Sequence, residues 1–593
     1  MDWLCWPRFD SAAIFGAILD RERGGHWRIH PAHLARSTRK YITDSNVLQT
    51  EFQSDSGSVI LTDLMPVASE EFKQTTRLPD HEIVRQLDCI SGEVEIEMEF
   101  IPRASYGSRE VVIRDTGKLG LRMEVGRGIY WLRTNAPISF GQNTARSRFR
   151  MKTGETIQFS LTYTEDAPAV LRPLGNLVRE GIDRSVAFWR NWAARANYKG
   201  PYREAVIRSL LTLKLLTFAP SGAIIASPTT SLPERIGGPL NWDYRYCWLR
   251  DASLTLRVLL ELGYWDEASD FMEWMLHTTW LTQPELNILY TVYGRSAPKE
   301  RELQYLSGYQ DSWPVRVGNK AREQLQLDVY GEVIDAAAQY VFHGGTLDAD
   351  MQKTLNEFGK YVVKHWHLPD EGLWEPRHGR TNHTHSRLLC WTALDRLLSL
   401  RDRGWILGDS EASFTQAKSQ IEKEICSRAW NPALQSYVSV LDGDSLDASL
   451  LLLSWYGFEK ADSDRMRGTY ALLRKQLRAE NGLLYRYPCD NSEGAFALCS
   501  FWEVEFLALG GGTEQAAQQL FERLLAFQND LGLYAEEIDP PTGDALGNFP
   551  QAFTHVGVIG AALSLQHRAE GTDTLPHRPE KATAGGAVQE TGA

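Results

Sequence analysis

The sequence predicts two domains of different class, an N-terminal antiparallel β-sandwich followed by an (α/α)6 barrel. Three observations carry that prediction. The chain has 593 residues, too many for one core, because single cores stop growing near roughly 250–300 residues. Its hydrophobic period changes from that of a strand to that of a helix after Pro173. Beyond that point the chain holds about twelve helical segments.

From about residue 27 to 165, apolar and polar residues alternate. Val94, Ile96, Met98 and Phe100 stand against Glu93, Glu95, Glu97 and Glu99, and Ile157, Phe159, Leu161 and Tyr163 against Thr156, Gln158, Ser160 and Thr162. That is the pattern of half-buried strands, with Ser-Gly and Thr-Gly pairs near 56, 91, 116 and 153 marking turns. Residues 1–165 are read as the sandwich. Residues 166–200 are read as a helical linker whose Trp189/Trp192 pair packs against both halves. Residues 201–568 form the barrel, with helices expected to begin near 201, 250, 264, 326, 349, 384, 410, 445, 462, 496, 513 and 552. Six antiparallel helix pairs closing into a ring leave a funnel where the connecting loops gather. The long connections at 218–249, 279–325, 367–383, 478–495 and 530–551 are expected to line it. Residues 569–593, rich in Gly, Ala, Thr and Pro, are expected to be disordered.

Composition narrows the partners. With 43% hydrophobic residues there is still no apolar run of the roughly 20 residues that span a bilayer, so no membrane segment is expected. The first residues lack the basic and apolar regions of a secretory signal, which points to the cytoplasm. Seven scattered cysteines without a C-x-x-C pair suggest neither a disulfide framework nor a zinc site. A net charge of −13 without a Lys/Arg run argues against nucleic acid. The 19 tryptophans and 22 tyrosines suit a carbohydrate, since flat apolar faces with a polar edge match sugar rings.

The unusual motifs fall in the long connections. Gly237 to Asp251 reads Gly-Gly-Pro-Leu-Asn-Trp-Asp-Tyr-Arg-Tyr-Cys-Trp-Leu-Arg-Asp, and two others are Glu371-Gly372-Leu373-Trp374-Glu375 and Tyr534-Ala535-Glu536-Glu537-Ile538-Asp539-Pro540. Glycosidic cleavage needs one protonated carboxyl to donate to the leaving oxygen and one carboxylate to activate water or attack the anomeric carbon. Two separated glutamates fit that need. Taken singly, each is equally well a solvated loop residue.

These residues resemble glycoside hydrolase family 15, which contains glucoamylases, bacterial trehalases and related exo-α-glucosidases. The resemblance runs from Asp-Trp-Leu-Cys-Trp-Pro-Arg-Phe-Asp at 2–10 through Pro314-Val315-Arg316-Val317-Gly318-Asn319 to Gly-Asn-Phe-Pro-Gln-Ala-Phe-Thr-His at 547–555. Relatives usually have a further strand before the first of these segments, so the true start is expected upstream of Met1.

The resemblance implies a β-sandwich, an (α/α)6 barrel and inversion at the anomeric carbon. It implies Glu375 as general acid, in the Leu-Trp-Glu position, and Glu536 as general base. Arg250 and Asp251 match the pair that holds the non-reducing glucose, Arg486 matches an arginine near the binding subsite, and Trp248, Trp313 and Trp374 would form the walls. Glu537 is expected to bind or orient, because neighbours on an extended loop point in different directions. Glu375 is expected to be protonated near neutral pH beside an apolar wall, with Glu536 ionised. Two positions depart from the pattern: many relatives have Tyr where this chain has His385, and Pro376 follows the acid. The His383-Thr384-His385 triplet is a weak metal signal, and without a GxxxxGK loop no nucleotide site is expected. Neither a metal nor a cofactor is expected.

The implied function is exo-acting hydrolysis of an α-glucoside. Trehalose is placed ahead of maltodextrins or isomaltose, as no starch-binding module is recognisable. An inverting disaccharide phosphorylase would not need the Glu536 motif, and a non-catalytic sugar-binding protein would not need both carboxylates.

Overall fold

Period-two sequences become sheet here because one face of each strand is taken from water. A computed structural model describes residues 1–165, 169–377, 379–406, 410–488 and 493–571, the side chains of 252 and 253 aside. The tail expected to be disordered therefore lies, from residue 572 on, outside the described residues.

Strand His81–Ile101 organises the N-terminal half. Its first part pairs antiparallel with Gly57–Leu64 and Thr156–Glu165, and its second part with His26–Pro31 and Ala145–Lys152. The strand changes partners near Ser91-Gly92, where the register shifts. Gly92 has φ 71°, and a Cβ there would stand 1.9 Å from the Ser56 carbonyl oxygen, an approach that only glycine permits. Beyond this point Val94, Ile96, Met98 and Phe100 are buried with Trp27. Glu95 and Glu99 face the surface, paired with Arg148 and Arg146.

Strand Thr156–Glu165 departs from the half-buried expectation. Gln158, Ser160 and Thr162 are buried along with Phe159 and Leu161, because the chain after the strand folds back over its polar face. The Gln158 amide accepts from the Gly175 amide (2.6 Å) and donates to the Gly175 carbonyl (3.2 Å). Helix Asn176–Ala193 comes next. Ser185 Oγ accepts from the Val67 amide (3.0 Å), and Trp192 Nε1 donates to Glu267 Oε1 (2.5 Å), so this helix is tied to both halves.

Among the described residues, two short 3-10 segments at Tyr309–Asp311 and Lys320–Glu323 aside, helical segments of the C-terminal half begin at 203, 249, 265, 328, 349, 384, 411, 448, 464, 497, 514 and 552, each within three residues of its expected start. Six of them, Leu249–Glu261, Asp328–Phe342, Thr384–Asp402, Ala448–Trp455, Ala497–Phe506 and Ala552–Ala569, pack each against the next and the last against the first. Asp328–Phe342 and Ala497–Phe506 are buried almost all round. Helix Ala349–His365 instead buries Thr354, Leu355, Phe358, Gly359 and Val362, one face at helical spacing. Helices buried on every side line the interior, and amphipathic ones cover them. No helix of the described residues is long and apolar enough to cross a membrane.

Candidate active site

Four loops converge at one end of the helical half, and each delivers one part of a pocket. Cys247–Trp248 pairs antiparallel with Leu289–Tyr290, which anchors the start of helix Leu249–Glu261. Arg250 and Asp251 stand in its first turn, where an acidic side chain complements the unbonded N–H groups. The second loop carries Trp374 and Glu375. Gly372 (φ 70°) bends it so closely that a Cβ would strike the His383 ring, and Glu375 itself is held at φ 56°, a left-handed conformation costly for a residue with a Cβ. Gln324 Nε2 secures this turn by donating to the Glu375 (3.2 Å) and Pro376 (3.1 Å) carbonyls.

The third loop brings Arg486. In the fourth, Glu536 follows Ala535, and the Glu537–Ile538 strand lies between Ala495–Phe496 and Ala545–Leu546. Strand alternation turns Glu536 and Glu537 to opposite sides.

Tyr244, Trp248, Arg250, Asp251, Trp374, Glu375, Arg486, Phe496, Glu536, Gln551 and Phe553 line one small pocket. Tyr244, Leu373, Trp374, Glu375 and Arg486 also line a second cavity of about 610 Å3. Glu375 thus stands in the wall common to both. Its Oε1 accepts from Trp248 Nε1 (2.7 Å) and Arg250 Nη1 (3.4 Å). Arg250 also donates to the Leu373 carbonyl (2.7 Å) and to Asp251 (3.1 Å). Burial pushes the Asp251 carboxyl up to about 6, with Arg250 opposing the rise.

Glu536 is the other glutamate of the small pocket, and neither of its buried oxygens has a hydrogen-bond partner of normal geometry. A buried polar group left unbonded is costly unless water or a ligand completes it. Burial, reinforced by the neighbouring charge of Glu234, pushes Glu536 up to about 8, against the favourable influence of the Tyr244 hydroxyl and Arg486. This corrects the expectation that Glu536 is the plainly ionised member of the pair. Its pocket is drier and more acidic than the sequence indicated.

Behind the pocket, Arg486 bonds Glu493 through Nε (2.6 Å) and Nη2 (2.7 Å), and Glu234 through Nη2 (3.2 Å), while Glu537 Oε1 lies 3.8 Å away. Burial raises Glu234 to about 7 and holds Glu537 well above the usual carboxylate range. Carboxylate oxygens of Glu234, Glu493 and Glu537 lie within 4.8 Å of one another, the spacing of a cation site. The Arg486 guanidinium already supplies the positive charge there.

Of the residues expected from the sequence, Glu375, Glu536, Arg250, Asp251, Trp248, Trp374 and Arg486 come together in the small pocket. Trp313 does not. It is 47% exposed and lines neither cavity, because its neighbour Ser312 is buried and bonded to the Gly237 amide, and the next residue of an extended chain points the other way. Glu537 also lies outside both walls, where its Oε2 accepts from the Gly494 amide (2.8 Å). Sequence reasoning missed Tyr244, Phe496, Gln551 and Phe553 as pocket residues. Tyr244, Gln551 and Phe553 stand inside segments quoted for the resemblance, so the signal was available, but nothing local distinguished them from packing residues.

The family model described as "Glycosyl hydrolases family 15" matches residues 200–510 and 512–563, and one described as "Trehalase-like, N-terminal" matches residues 1–138. A protein of Mycobacterium tuberculosis named "Trehalase" is 34% identical over 97% of this chain and 88% of its own length. Another of that name from Thermoplasma volcanium is 31% identical over 95% and 90%. The fold is similar to that of a bacterial glucoamylase solved with acarbose, with a TM-score of 0.74 at 12% identity over 97% of this chain and 92% of that one. With a pocket walled by two glutamates and a family model matched along the whole helical half, the chain belongs to the glycosyl hydrolases of family 15.

Proposed function

We propose that this protein is a trehalase, an inverting exo-acting hydrolase that releases β-glucose from the non-reducing side of an α-glucoside. One observation carries the reading: Glu375 and Glu536 line the same small pocket as Arg250 and Asp251, and Glu375 borders a second cavity. The non-reducing glucose occupies the small pocket, with its distal hydroxyls on Arg250 and Asp251. Glu375 gives its proton to the glycosidic oxygen as the C1–O bond breaks, and the leaving sugar departs into the larger cavity. Glu536 takes a proton from the water that forms the new bond to C1 from the opposite face. Inversion by this route needs the two carboxyl groups roughly 6.5–9.5 Å apart. The raised Glu536 implies that kcat/KM climbs with pH toward about 8, as the base must be ionised to act.

The choice of trehalose rests on the relatives that bear that name. The size of the second cavity, about 610 Å3, supports a second reading in which a longer glucan is the substrate. We further propose that the helical half is an (α/α)6 barrel over residues 201–568, joined through a helical linker at 166–200 to a β-sandwich over 1–165. The ring-like succession of packed helices supports this division.

Purified protein assayed on trehalose, maltose, isomaltose and soluble starch decides the substrate. Trehalose turnover with β-glucose as the first product by proton NMR is expected, and α-glucose first would overturn inversion. Glu375→Gln and Glu536→Gln should each remove most turnover. Glucosyl fluoride, which needs no protonation to leave, should partly restore only Glu375→Gln. Rescue of Glu536→Gln instead would exchange the two roles.

A further inference from the structure

The larger cavity is lined by polar side chains that are almost all committed to the protein itself. Gln324 holds the Glu375 turn, Arg377 is bonded to Glu300 by two nitrogens, and Glu371 takes the Leu325 amide and Arg380. Asp447 takes Trp374 Nε1 (2.6 Å) and the Ser449 amide (2.7 Å). His383 Nε2 is bonded to Thr381 Oγ1 (2.9 Å). Each of these already holds at least one hydrogen bond within the protein.

His385 differs. It lines the same cavity and is only 6% exposed, yet neither ring nitrogen makes a hydrogen bond. Nδ1 lies 3.5 Å from Asp328 Oδ2, a buried oxygen that also lacks a partner. A side chain buried this deeply with an unbonded ring nitrogen is costly unless something completes it. With the proton on Nδ1, the nitrogen that faces the Asp328 carboxylate, Nε2 is left as an acceptor. A sugar hydroxyl, which always carries a donor, is the complement.

We propose that His385 is a substrate-binding residue of the acceptor side, accepting a hydrogen bond at Nε2 from a hydroxyl of the leaving hexose, with Asp328 as its positioning residue. This rests on the reading of the small pocket as the seat of the non-reducing glucose. It assigns a role to the second histidine of the His-x-His triplet, which the catalytic mechanism leaves unused.

The test compares substrates that do and do not fill the larger cavity. Wild type, His385→Leu and His385→Gln are assayed on trehalose, maltose and isomaltose, and on α-glucosyl fluoride, whose leaving group is a single atom. His385→Leu should lose on the order of 10–100-fold in kcat/KM on the preferred disaccharide, mainly through KM, consistent with roughly 1.4–2.7 kcal/mol for a buried hydrogen bond left unmade. The loss on glucosyl fluoride should stay within about threefold, which also reports an intact fold, and His385→Gln should recover part of the difference. Equal losses on disaccharide and fluoride, or no loss on either, would overturn the role of His385 while leaving the proposed function standing. A wild-type chain inactive on every glucoside and on the fluoride would remove the proposed function, and this role with it.

Discussion

Glu536 shows how much a single residue can cost its own protein. Its carboxyl is raised by burial to about 8 in the folded chain, against roughly 4.3 in an unfolded one. Between those values the folded state binds more protons, so stability is greatest below the unfolded value and falls as pH rises toward the folded one. Replacing the carboxyl by an amide removes that loss. Glu536→Gln should therefore melt higher than wild type at pH 8.5 while the two differ little at pH 4.5, a trade of stability for activity seen at other strained sites. Melting curves of both proteins at the two pH values check this, and a variant no more stable at pH 8.5 would show that the cleft hydrates Glu536 instead. Arg250 behaves differently. The sequence suggested a residue devoted to substrate, yet its guanidinium also bridges Leu373, Asp251 and Glu375. Arg250→Ala should lose activity and also destabilise by about 3–5 kcal/mol, the effect of leaving buried charges unpaired, whereas Asp251→Asn should lose activity with a much smaller change in Tm. Thermal melts beside kcat/KM separate the two, and unchanged Tm in Arg250→Ala would make that residue purely a ligand for sugar.

At the scale of the element, the loop from Tyr534 to Gln551 places Glu536, the proposed base, by a close backbone approach. Gly547 has φ 75°, its amide donates to the Pro233 carbonyl (2.8 Å), and a Cβ on it would lie 2.5 Å from Glu536 Oε2 and 2.8 Å from Glu536 Cβ. Gly547→Ala should cost about 1–2 kcal/mol from the left-handed backbone alone. By displacing Glu536 it should lower kcat by roughly 100-fold. A variant that loses stability but keeps kcat would mean that the carboxylate can relax elsewhere. These loop properties were legible only in part. The helix starts could be read because periodicity and caps are local, and Glu375 and Glu536 because they lie in recognisable segments. The left-handed turn at Glu375 could not, since it is imposed by Gln324, Trp248 and Arg250 from other loops. Nor could the outward turn of Trp313, which results from its neighbour's bond to Gly237.

Across the whole molecule, the N-terminal residues brace the loop that carries Tyr244 and Trp248. Arg245, 1% exposed at its side chain, is bonded to the fully buried Asp243 (2.7 Å) and donates to the Ser11 carbonyl (2.9 Å), while Trp3 Nε1 donates to the Pro228 carbonyl (2.7 Å). Tyr244, flanked in the chain by the two members of that ion pair and with its ring 5.3 Å from that of Trp248, lines both cavities. Arg245→Leu should destabilise by about 3–5 kcal/mol, because it strands the Asp243 charge, and activity should fall with it. The double variant Asp243→Leu/Arg245→Leu should recover much of the stability but not the activity, as measured by thermal melts and kcat/KM. Full recovery of both would reduce the N-terminal brace to ordinary packing. The sequence by itself determined the order and type of the elements, since strand alternation, helical period and turn glycines are written over a few neighbouring residues. It also supplied the kinds of group the chemistry needs. Only the tertiary structure decided which of them face the substrate and how they titrate. Glu536 is raised by burial and by Glu234, Arg486 is held by Glu234 and Glu493, and His385 stands against Asp328. Burial and electrostatic potential are sums over atoms gathered from distant parts of the chain, and no local pattern contains those sums.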